Sequence, residues 1–262
     1  MVHEKIALVT GAGQGIGRAI AVELAAQGAA GVAVADRDAA TARATAELVR
    51  AAGADALDLV CDVRHGEQIA SVVEATAGRF GGLDVLVNNA GVIETGMTSH
   101  TTVDTLPEEV WDTVHAVNLR APWLAIKHAT PHLRRSRRGP NIVNAASVSG
   151  ITGFPAAPAY CSSKGGLVQL TRAAAADLAP DIRCNCFCPA AIRTPMAQAF
   201  IDESDDAAER ERAMTAQQMI TRLGTPEEVA KLACFLASDD AAFITAAAYY
   251  VDGGALSWMG HT

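Results

Sequence analysis

Short apolar runs rich in β-branched residues alternate along this chain with longer segments whose apolar residues recur at helical spacing. Such alternation is typical of β-α-β units, in which parallel strands form one sheet and the connecting helices cover both of its faces. Right-handed crossovers bring the carboxyl ends of the strands to one edge, where such sheets bind ligands. The pattern predicts a single α/β domain over 1–262 with a doubly wound, seven-stranded parallel sheet. The predicted strands are 6–10, 31–36, 56–61, 84–89, 141–146, 182–187 and 248–253.

Several helix ends are marked by local signals. Thr225, followed by Pro226 and Glu228, fits a capping box with proline at the first helical position. Thr105 and Glu108 have the same spacing and predict a second box. The basic run RRSRR at 134–138 closes a predicted helix, where positive charge complements the helix dipole. The polar, amphipathic segment 194–222 is predicted to be a substrate lid within the domain.

Charge and hydropathy exclude two classes of partner. The net charge is −8 and the isoelectric point is near 5.3. Because nucleic-acid sites are basic, no nucleic-acid partner is expected. No apolar run reaches the roughly 18 residues that cross a bilayer, and the N-terminus MVHEKIALVTG lacks the layout of a signal peptide. We therefore expect a cytoplasmic protein with no membrane partner.

The chain has six cysteines, and none of them stands in a C-x-x-C motif. Three of them alternate in CNCFC, 184–188, so their sulfurs share one face of a predicted strand. Free cysteine in that setting behaves as a small buried hydrophobe. No metal site is expected.

A glycine-rich turn follows the first predicted strand. The stretch TGAGQGIG, 10–17, leads into a helical pattern, and its glycines allow a pyrophosphate to approach backbone N–H groups at a helix start. Asp36 ends the second predicted strand roughly 20 residues further on, where an acid can bind the ribose hydroxyls and repel a 2′-phosphate. The alternative is a glycine turn followed by an unrelated surface aspartate.

With its T-G-x-x-x-G-x-G spacing, the chain resembles the short-chain dehydrogenases/reductases, in their short single-domain branch. The resemblance continues in family order through CDV (61–63), NNAG (88–91), VNL (117–119), the serine of NIVNAASVSG, and the Y-x-x-x-K pair. It ends with CPAAIRTPM (188–196), RLGTPEEVA (222–230) and VDGG (251–254). The resemblance implies a Rossmann fold, a nicotinamide dinucleotide and a homo-oligomer, a tetramer or a dimer.

The resemblance also implies how the cofactor is held, with NAD favoured over NADP by Asp36. Two roles stay open for Arg37, namely pairing with a phosphate or stacking on the adenine. The residues expected to hold NAD are Gly11, Gln14, Gly15, Ile16, Gly17, Asp36, Arg37, Asp62, Val63, Asn89, Ala90, Gly91, Tyr160, Lys164, Pro189, Ile192 and Thr194.

A proton-transfer site is predicted around Tyr160. On a helix, Tyr160 and Lys164 lie one turn apart and face the same way. Positive charge near the phenol, from Lys164 together with an oxidised nicotinamide, favours the ionised form and lowers the pKa of Tyr160. By resemblance, Ser147 binds the substrate oxygen together with Tyr160, while Asn118 holds a water in the proton relay. The predicted catalytic set is Asn118, Ser147, Tyr160 and Lys164.

These residues predict an oxidoreductase that transfers a hydride between NAD(H) and a secondary alcohol or ketone. The alternatives are a biosynthetic ketoreductase with the same chemistry and a non-catalytic dinucleotide-sensing or scaffold protein. The candidate substrate walls are mostly apolar, which favours an uncharged substrate. They are Ile93, Val148, Ser149, Phe154, Met196, Phe200 and Met219.

Four features need a structural explanation. Gly165 and Gly166 stand inside a predicted helix, and we expect them to serve packing between subunits. Ala190 and Ala246 replace glycines of the family pattern. Because alanine tolerates a positive φ poorly, the turn at 190 must differ if it needs one. The segment between Gly91 and Trp111, which carries Glu94, His100 and Asp104, is interpreted as a solvated loop rather than a substrate border.

Overall fold

A computed structural model describes residues 1–258, so residues 259–262 of the predicted domain lie outside the described residues. Over this range, seven strands form one sheet in the order β3-β2-β1-β4-β5-β6-β7, and every neighbouring pair is parallel. The predicted fold class is confirmed, and strand ends differ from the predicted ones by at most two residues. The strands are β1 Ile6–Thr10, β2 Gly31–Asp36, β3 Asp55–Val60, β4 Val85–Asn88, β5 Asn141–Ala145, β6 Arg183–Pro189 and β7 Ala248–Val251.

Helices cover both faces of the sheet. Alternate residues of the strands point to opposite sides, so Val9 of β1 packs in one core and Leu8 in the other. The first core contains α1, α2 and α9, and the second contains α3, α5 and α6. The helices are α1 Gly15–Ala26, α2 Ala39–Ala51, α3 Gly66–Phe80, α4 Glu108–His115, α5 Ala121–Leu133, α6 Pro158–Leu178, α7 Pro195–Asp202, α8 Ala207–Thr215 and α9 Pro226–Ala237.

The strand order reverses at the centre of the sheet. From β1 the chain builds outward through β2 and β3, then returns to place β4 on the other side of β1. The chain therefore leaves β1 and β4 toward helices on opposite faces of the sheet, and this reversal is where such folds have a ligand-binding crevice at the carboxyl ends of the strands. The predicted glycine loop and the NNAG segment border that crevice.

One capping box is confirmed and the other is wrong. Thr225 Oγ1 accepts the Glu228 N–H at 3.3 Å, and the Glu228 carboxylate accepts the Thr225 N–H at 2.8 Å. Helix α4 instead begins at Glu108 with Pro107 as its N-cap. A cap at Thr105 would require Leu106 to be helical, and the residue before a proline disfavours the helical region. Thr105 instead forms a turn, with its N–H donating to the Thr102 carbonyl at 3.1 Å.

The basic run 134–138 follows α5 directly, as predicted, with Arg134 as the C-cap. No helix within residues 1–258 combines the length and the hydropathy that a membrane crossing requires.

The three cysteines of CNCFC lie buried on β6, as predicted, while Phe187 between them packs in the opposite core. Burial raises the pKa of the Cys184 thiol to about 12. Across the described part of the chain, no group of three or more histidine, cysteine or acidic side chains could hold a metal ion.

The two alanines that replace glycines differ in conformation. Ala190 does not take a positive φ, and its N–H donates to the Val251 carbonyl at 3.2 Å. The turn at 190 therefore accepts alanine. Ala246 has φ +61°, a left-handed conformation that costs an L-residue about 1–2 kcal/mol. Of the two alanines, Ala246 is therefore the one that stores backbone strain.

Replacing Ala246 by glycine should therefore stabilise the protein. The substitution removes the left-handed strain, but glycine has more conformational freedom in the unfolded chain, which offsets part of that effect. We expect the free energy of unfolding to rise by about 0.5–1 kcal/mol. Urea unfolding measures it. Ala190→Gly is the matched control and should destabilise, because its backbone needs no glycine. A lower unfolding midpoint for Ala246→Gly would contradict the assignment of strain.

Candidate active site

The glycine loop lies tightly against the loop that follows β4. Gly11 has φ +61°, and a Cβ added there would lie 2.7 Å from the Ala90 Cα. A Cβ on Gly17 would overlap the Gly11 carbonyl and the Asn89 side chain. Asn89 Nδ2 donates to the carbonyls of Thr10 and Gly11 at 3.1 and 3.0 Å. The predicted residues Gly11, Gly17, Asn89 and Ala90 thus form one continuous wall of the crevice.

Helix α1 begins at Gly15, inside this loop. Its N-cap, Gln14, makes no side-chain capping hydrogen bond. The N–H groups of the first turn, including that of Ile16, lack helical partners and can bind an anion. Gly15 also faces the loop after β6, because a Cβ there would lie 3.5 Å from Thr194 Cγ2. The loop can therefore bind an anion, and it lies next to Thr194, one of the residues predicted to border the nicotinamide.

Asp36 lies against the glycine loop. Its Oδ2 accepts the Gly13 N–H at 2.8 Å, and its Oδ1 accepts the Asp38 N–H at 3.1 Å. A Cβ on Gly13 would lie 2.8 Å from the Asp36 carboxylate, so only glycine fits between them. Arg37 is exposed. Of Asp36 and Arg37, the Asp36 carboxylate is therefore the group that is fixed to the loop by a hydrogen bond. The Arg18 guanidinium donates to the carbonyl of the same residue, Gly13.

Asp62 and Val63 occupy the loop after β3. The Asp62 carboxylate is paired with Arg64, and these hydrogen bonds lower the pKa of Asp62 to about 2. The Asp62 N–H donates to Gln68 Oε1 at 2.8 Å, and Val63 is buried. The loop is therefore held in place by its own side chains.

Tyr160 and Lys164 face each other on the first turns of α6. Lys164 Nζ lies 5.6 Å from the centre of the Tyr160 ring and donates to the Ala145 carbonyl, at the end of β5, at 2.7 Å. Burial lowers the pKa of Lys164 to about 8. The pair is thus anchored to the carboxyl end of the central sheet.

Several groups influence the pKa of the Tyr160 phenol. Burial, the largest influence, raises the pKa of Tyr160 above its ordinary value, while a side-chain hydrogen bond with Ser147 lowers it. Burial therefore dominates the pKa of Tyr160 in the chain alone. The expected lowering refers to Lys164 together with an oxidised nicotinamide, and with that cofactor bound it stays a prediction.

Ser147 and Asn118 complete the predicted catalytic set. Ser147 is buried at the end of β5, and its Oγ accepts the Ser149 N–H at 3.1 Å. Asn118 lies in a π-helical turn, Ala116–Arg120, between α4 and α5. Its side chain exchanges two hydrogen bonds with the backbone of Val92, each 2.9 Å long. π-Helical turns inside helices frequently accompany functional sites.

The side chains of Lys164 and Asn118 both lie close to Gly91. A Cβ added at Gly91 would lie 3.3 Å from Lys164 Nζ and 3.5 Å from Asn118 Oδ1. Glycine at this position lets the two side chains approach the same stretch of backbone. The structure thus places Lys164 and Asn118 beside the same glycine, and places the Tyr160 phenol near Ser147.

The predicted nicotinamide side lies after β6. Pro189 ends β6, and Ile192 forms a parallel bridge with Gly224. Thr194 caps α7, with its Oγ1 accepting the Ala197 N–H at 3.2 Å. The segment 194–222 contains α7 and α8. Sequence reasoning missed Gln218, a buried residue near the end of that segment whose Oε1 accepts the Ala191 N–H at 3.2 Å.

Gly165 and Gly166 have partners inside the chain. A Cβ on Gly166 would lie 2.8 Å from Leu119 Cδ2, beside Asn118. A Cβ on Gly165 would lie 3.3 Å from the carbonyl oxygen of Gly150, in the turn that follows Ser147. The two glycines therefore let the elements that carry Asn118 and Ser147 pack closely against α6.

The candidate substrate walls lie in the connections that follow β4 and β5 and in the 194–222 segment. Phe154, Met196 and Met219 are exposed, and Ile93, Val148, Ser149 and Phe200 are partly buried. Arg193, which directly precedes the 194–222 segment, forms an ion pair with Glu211 of that segment.

The segment between Gly91 and Trp111 divides into two parts. His100 and Asp104 are exposed, as predicted for a solvated loop. The expectation is wrong for Glu94, which is fully buried. Its Oε1 accepts the N–H groups of Ala159 and Tyr160 at 2.9 and 3.2 Å. No signal in the local sequence could have found this contact, because the two partners are 65 and 66 residues away.

Comparison with known proteins agrees with this architecture. The family model described as "Enoyl-(Acyl carrier protein) reductase" matches residues 11–255. The chain is 38% identical to a short-chain dehydrogenase/reductase, eriH, of Hericium erinaceus, over 96% of this chain and 98% of that protein. It is 39% identical to a 2-(R)-hydroxypropyl-CoM dehydrogenase of Xanthobacter autotrophicus, over 95% and 97%.

A solved structure, that of levodione reductase, superposes with a TM-score of 0.91 at 31% identity and covers 98% of this chain and 99% of its own. Similarity of this extent, in sequence and in fold, makes the chain a member of the short-chain dehydrogenase/reductase family, a nicotinamide-dependent oxidoreductase for which secondary alcohols and ketones are fitting substrates.

Proposed function

We propose that this protein is an NAD-dependent dehydrogenase of uncharged secondary alcohols, with the reverse ketone reduction as the same chemistry. The observation that carries the proposal is the convergence of Ser147, Tyr160 and Lys164 at the carboxyl end of β5. One relative is named for a 2-hydroxypropyl substrate, which supports a secondary alcohol.

The crevice fits a dinucleotide. The glycines let this loop pack against the loop after β4 and leave the first N–H groups of α1 open to a pyrophosphate. Asp36 lies beside the loop and forms no ion pair with another described residue. In this proposal Gly11, Gln14, Gly15, Ile16 and Gly17 hold the pyrophosphate. Asp36, with Asp62 and Val63, holds the adenosine, while Pro189, Ile192 and Thr194 border the nicotinamide. When bound, the nicotinamide accepts or donates the hydride.

The chain's own residues handle the proton. Ser147 Oγ binds the substrate oxygen and orients the alcohol toward Tyr160. The phenolate oxygen of Tyr160 takes the hydroxyl proton as the carbonyl forms, and returns it in the reduction direction. Lys164 Nζ lies close enough to stabilise the phenolate, and Asn118 holds the water through which the proton exchanges with solvent.

The test is turnover on a panel of sugars, polyols, cyclic alcohols, steroids and β-hydroxyacyl thioesters, followed by absorbance of the reduced cofactor. Oxidation of a secondary alcohol with NAD is the expected result. Activity only on β-ketoacyl thioesters would favour the biosynthetic ketoreductase. NADH binding without turnover on any compound in either direction would favour a dinucleotide-sensing or scaffold protein.

We further propose a cytoplasmic homo-oligomer, a tetramer or a dimer. Within the described residues every cysteine is free, which fits a reducing compartment. Trp111 and Trp123 are 40% and 47% exposed, and Trp123 lines an apolar groove with Leu119 and Leu170. Exposed apolar patches of this kind mark interaction surfaces.

Sedimentation velocity at micromolar concentration should give a mass that is a multiple of 27.1 kDa. Trp123→Glu should shift the protein toward the monomer, because it places a charge in the patch that the proposed assembly would bury. Leu48→Glu, at an exposed leucine on α2, is the matched control and should leave the mass unchanged. A wild-type monomer would contradict the assembly.

A further inference from the structure

Glu94 is a fully buried acid that none of the catalytic roles above uses. It follows the NNAG segment, in the turn that leads away from β4. Its Oε1 accepts the backbone N–H groups of Ala159 and Tyr160, and its Oε2 is buried without a hydrogen-bond partner among the described residues. Glu94 forms no ion pair with another described residue. Because burying an unpaired carboxylate is costly, this placement requires a reason.

The start of α6 lacks a cap of its own. Its N-cap residue, Ala157, has no side-chain acceptor, and Pro158 at the first position has no N–H. The first N–H groups that need an acceptor are those of Ala159 and Tyr160, and Glu94 supplies one oxygen for both. A negative charge at this end also complements the helix dipole. A residue 65 positions away thus performs the task that a local serine or aspartate usually performs.

The residue held by this contact is the predicted proton donor and acceptor. We propose that Glu94 is a positioning residue for Tyr160: by holding the first turn of α6, it keeps the phenol in place against Ser147. This inference rests on the proposed function, in which Tyr160 transfers the proton.

The charge of Glu94 has a second effect on the phenol. The polar and titratable groups that face Tyr160 are Ser147 after β5, Cys161 and Lys164 on α6, Cys188 on β6, and Glu94. The Glu94 carboxylate is the acid of this set, and its charge raises the pKa of Tyr160. Removing the charge makes the phenol easier to ionise, so the pKa of Tyr160 should fall.

Two substitutions separate position from charge. Glu94→Gln keeps an acceptor oxygen for the two N–H groups and removes the charge, whereas Glu94→Ala removes both. We expect Glu94→Ala to lower kcat about 10- to 100-fold, because a small displacement of a catalytic group has effects of this size, with KM for NAD little changed. Glu94→Gln should retain most of kcat and move the rise of the oxidation rate to lower pH.

Asp104→Asn is the matched control, because Asp104 is an exposed acid on the same segment. It should change neither kcat nor the pH profile. Thermal unfolding of each variant sets a common assay temperature at which all are folded. Wild-type kcat in folded Glu94→Ala, or an unchanged pH profile in Glu94→Gln, would overturn the proposal.

A measurement without substrate separates this inference from the proposed function. Ultraviolet absorbance at alkaline pH follows phenol ionisation, and the difference between a protein and its Tyr160→Phe counterpart isolates Tyr160. In Glu94→Gln this difference should appear at lower pH than in the wild type, whether or not a substrate has been found. If the absorbance difference does not shift, the proposed effect of Glu94 on Tyr160 is wrong, whatever the outcome for the proposed function. If it shifts and no turnover exists, the proposed function fails instead.

Discussion

Replacing Tyr160 by phenylalanine is expected to lower kcat for alcohol oxidation by about 10²- to 10⁴-fold, the usual contribution of a positioned proton-transfer group. The variant loses one oxygen and keeps the ring, so the packing of α6 against β5 should be preserved. Ser147 can still bind the alcohol oxygen, but no group takes its proton. The affinity for NADH, measured by fluorescence titration, should stay near the wild-type value.

Lys164→Ala provides the contrast to this variant. Lys164 Nζ donates to the Ala145 carbonyl and lies close to Gly91, Asn118 and the Tyr160 ring. By the proposed roles it stabilises the phenolate and also holds the nicotinamide ribose. Turnover and NADH affinity should therefore both decrease, whereas Tyr160→Phe should reduce turnover alone.

Two outcomes would count against these roles. Unchanged NADH affinity in Lys164→Ala would remove the proposed ribose contact. Equal and negligible turnover of wild type and Tyr160→Phe over the whole panel, with NADH bound by both, would favour the dinucleotide-sensing protein over the enzyme.

Cofactor choice should follow Asp36. We expect kcat/KM to be about 10- to 100-fold higher with NAD than with NADP, a difference of roughly 1.4–2.8 kcal/mol. The Asp36 carboxylate is fixed beside the glycine loop by the Gly13 N–H, so a 2′-phosphate would meet a negative charge that cannot move away. Asp36→Ala should reduce the difference in kcat/KM between NAD and NADP, because the repulsion disappears and Arg37 becomes free to pair with the phosphate.

Asp38→Ala is the control for that measurement. Asp38 is an acid of the same loop, but its Oδ1 caps α2 by accepting the N–H groups of Ala40 and Thr41 at 2.8 and 3.1 Å. Its loss should lower stability by about 1 kcal/mol and leave the cofactor preference in place. A wild-type preference for NADP would contradict the assignment of NAD.

Much of the fold could be predicted from the sequence because the signals are local. Strands buried on both faces appear as continuous apolar runs such as that of β1, and proline after Thr225 marks the start of α9. The glycines of 10–17 and the spacing of Tyr160 and Lys164 likewise need only the neighbouring chain. The failure at Thr105 was also local, since the residue before Pro107 resists helical geometry.

The tertiary structure decided the contacts between segments distant in the chain. In the sequence, Glu94 looks like an ordinary acid in a loop, and only the fold places it at the start of α6. The need for glycine at position 91 likewise follows only from the approach of Lys164 and Asn118, which lie on two different helices. Of two alanines in place of glycine, only the backbone shows that Ala246 is the strained one. Periodicity and spacing indicate where a residue lies within its own helix or strand. The contacts of Glu94 and Gly91 and the strain at Ala246 depend instead on how helices and strands pack, and on which polar groups that packing removes from water.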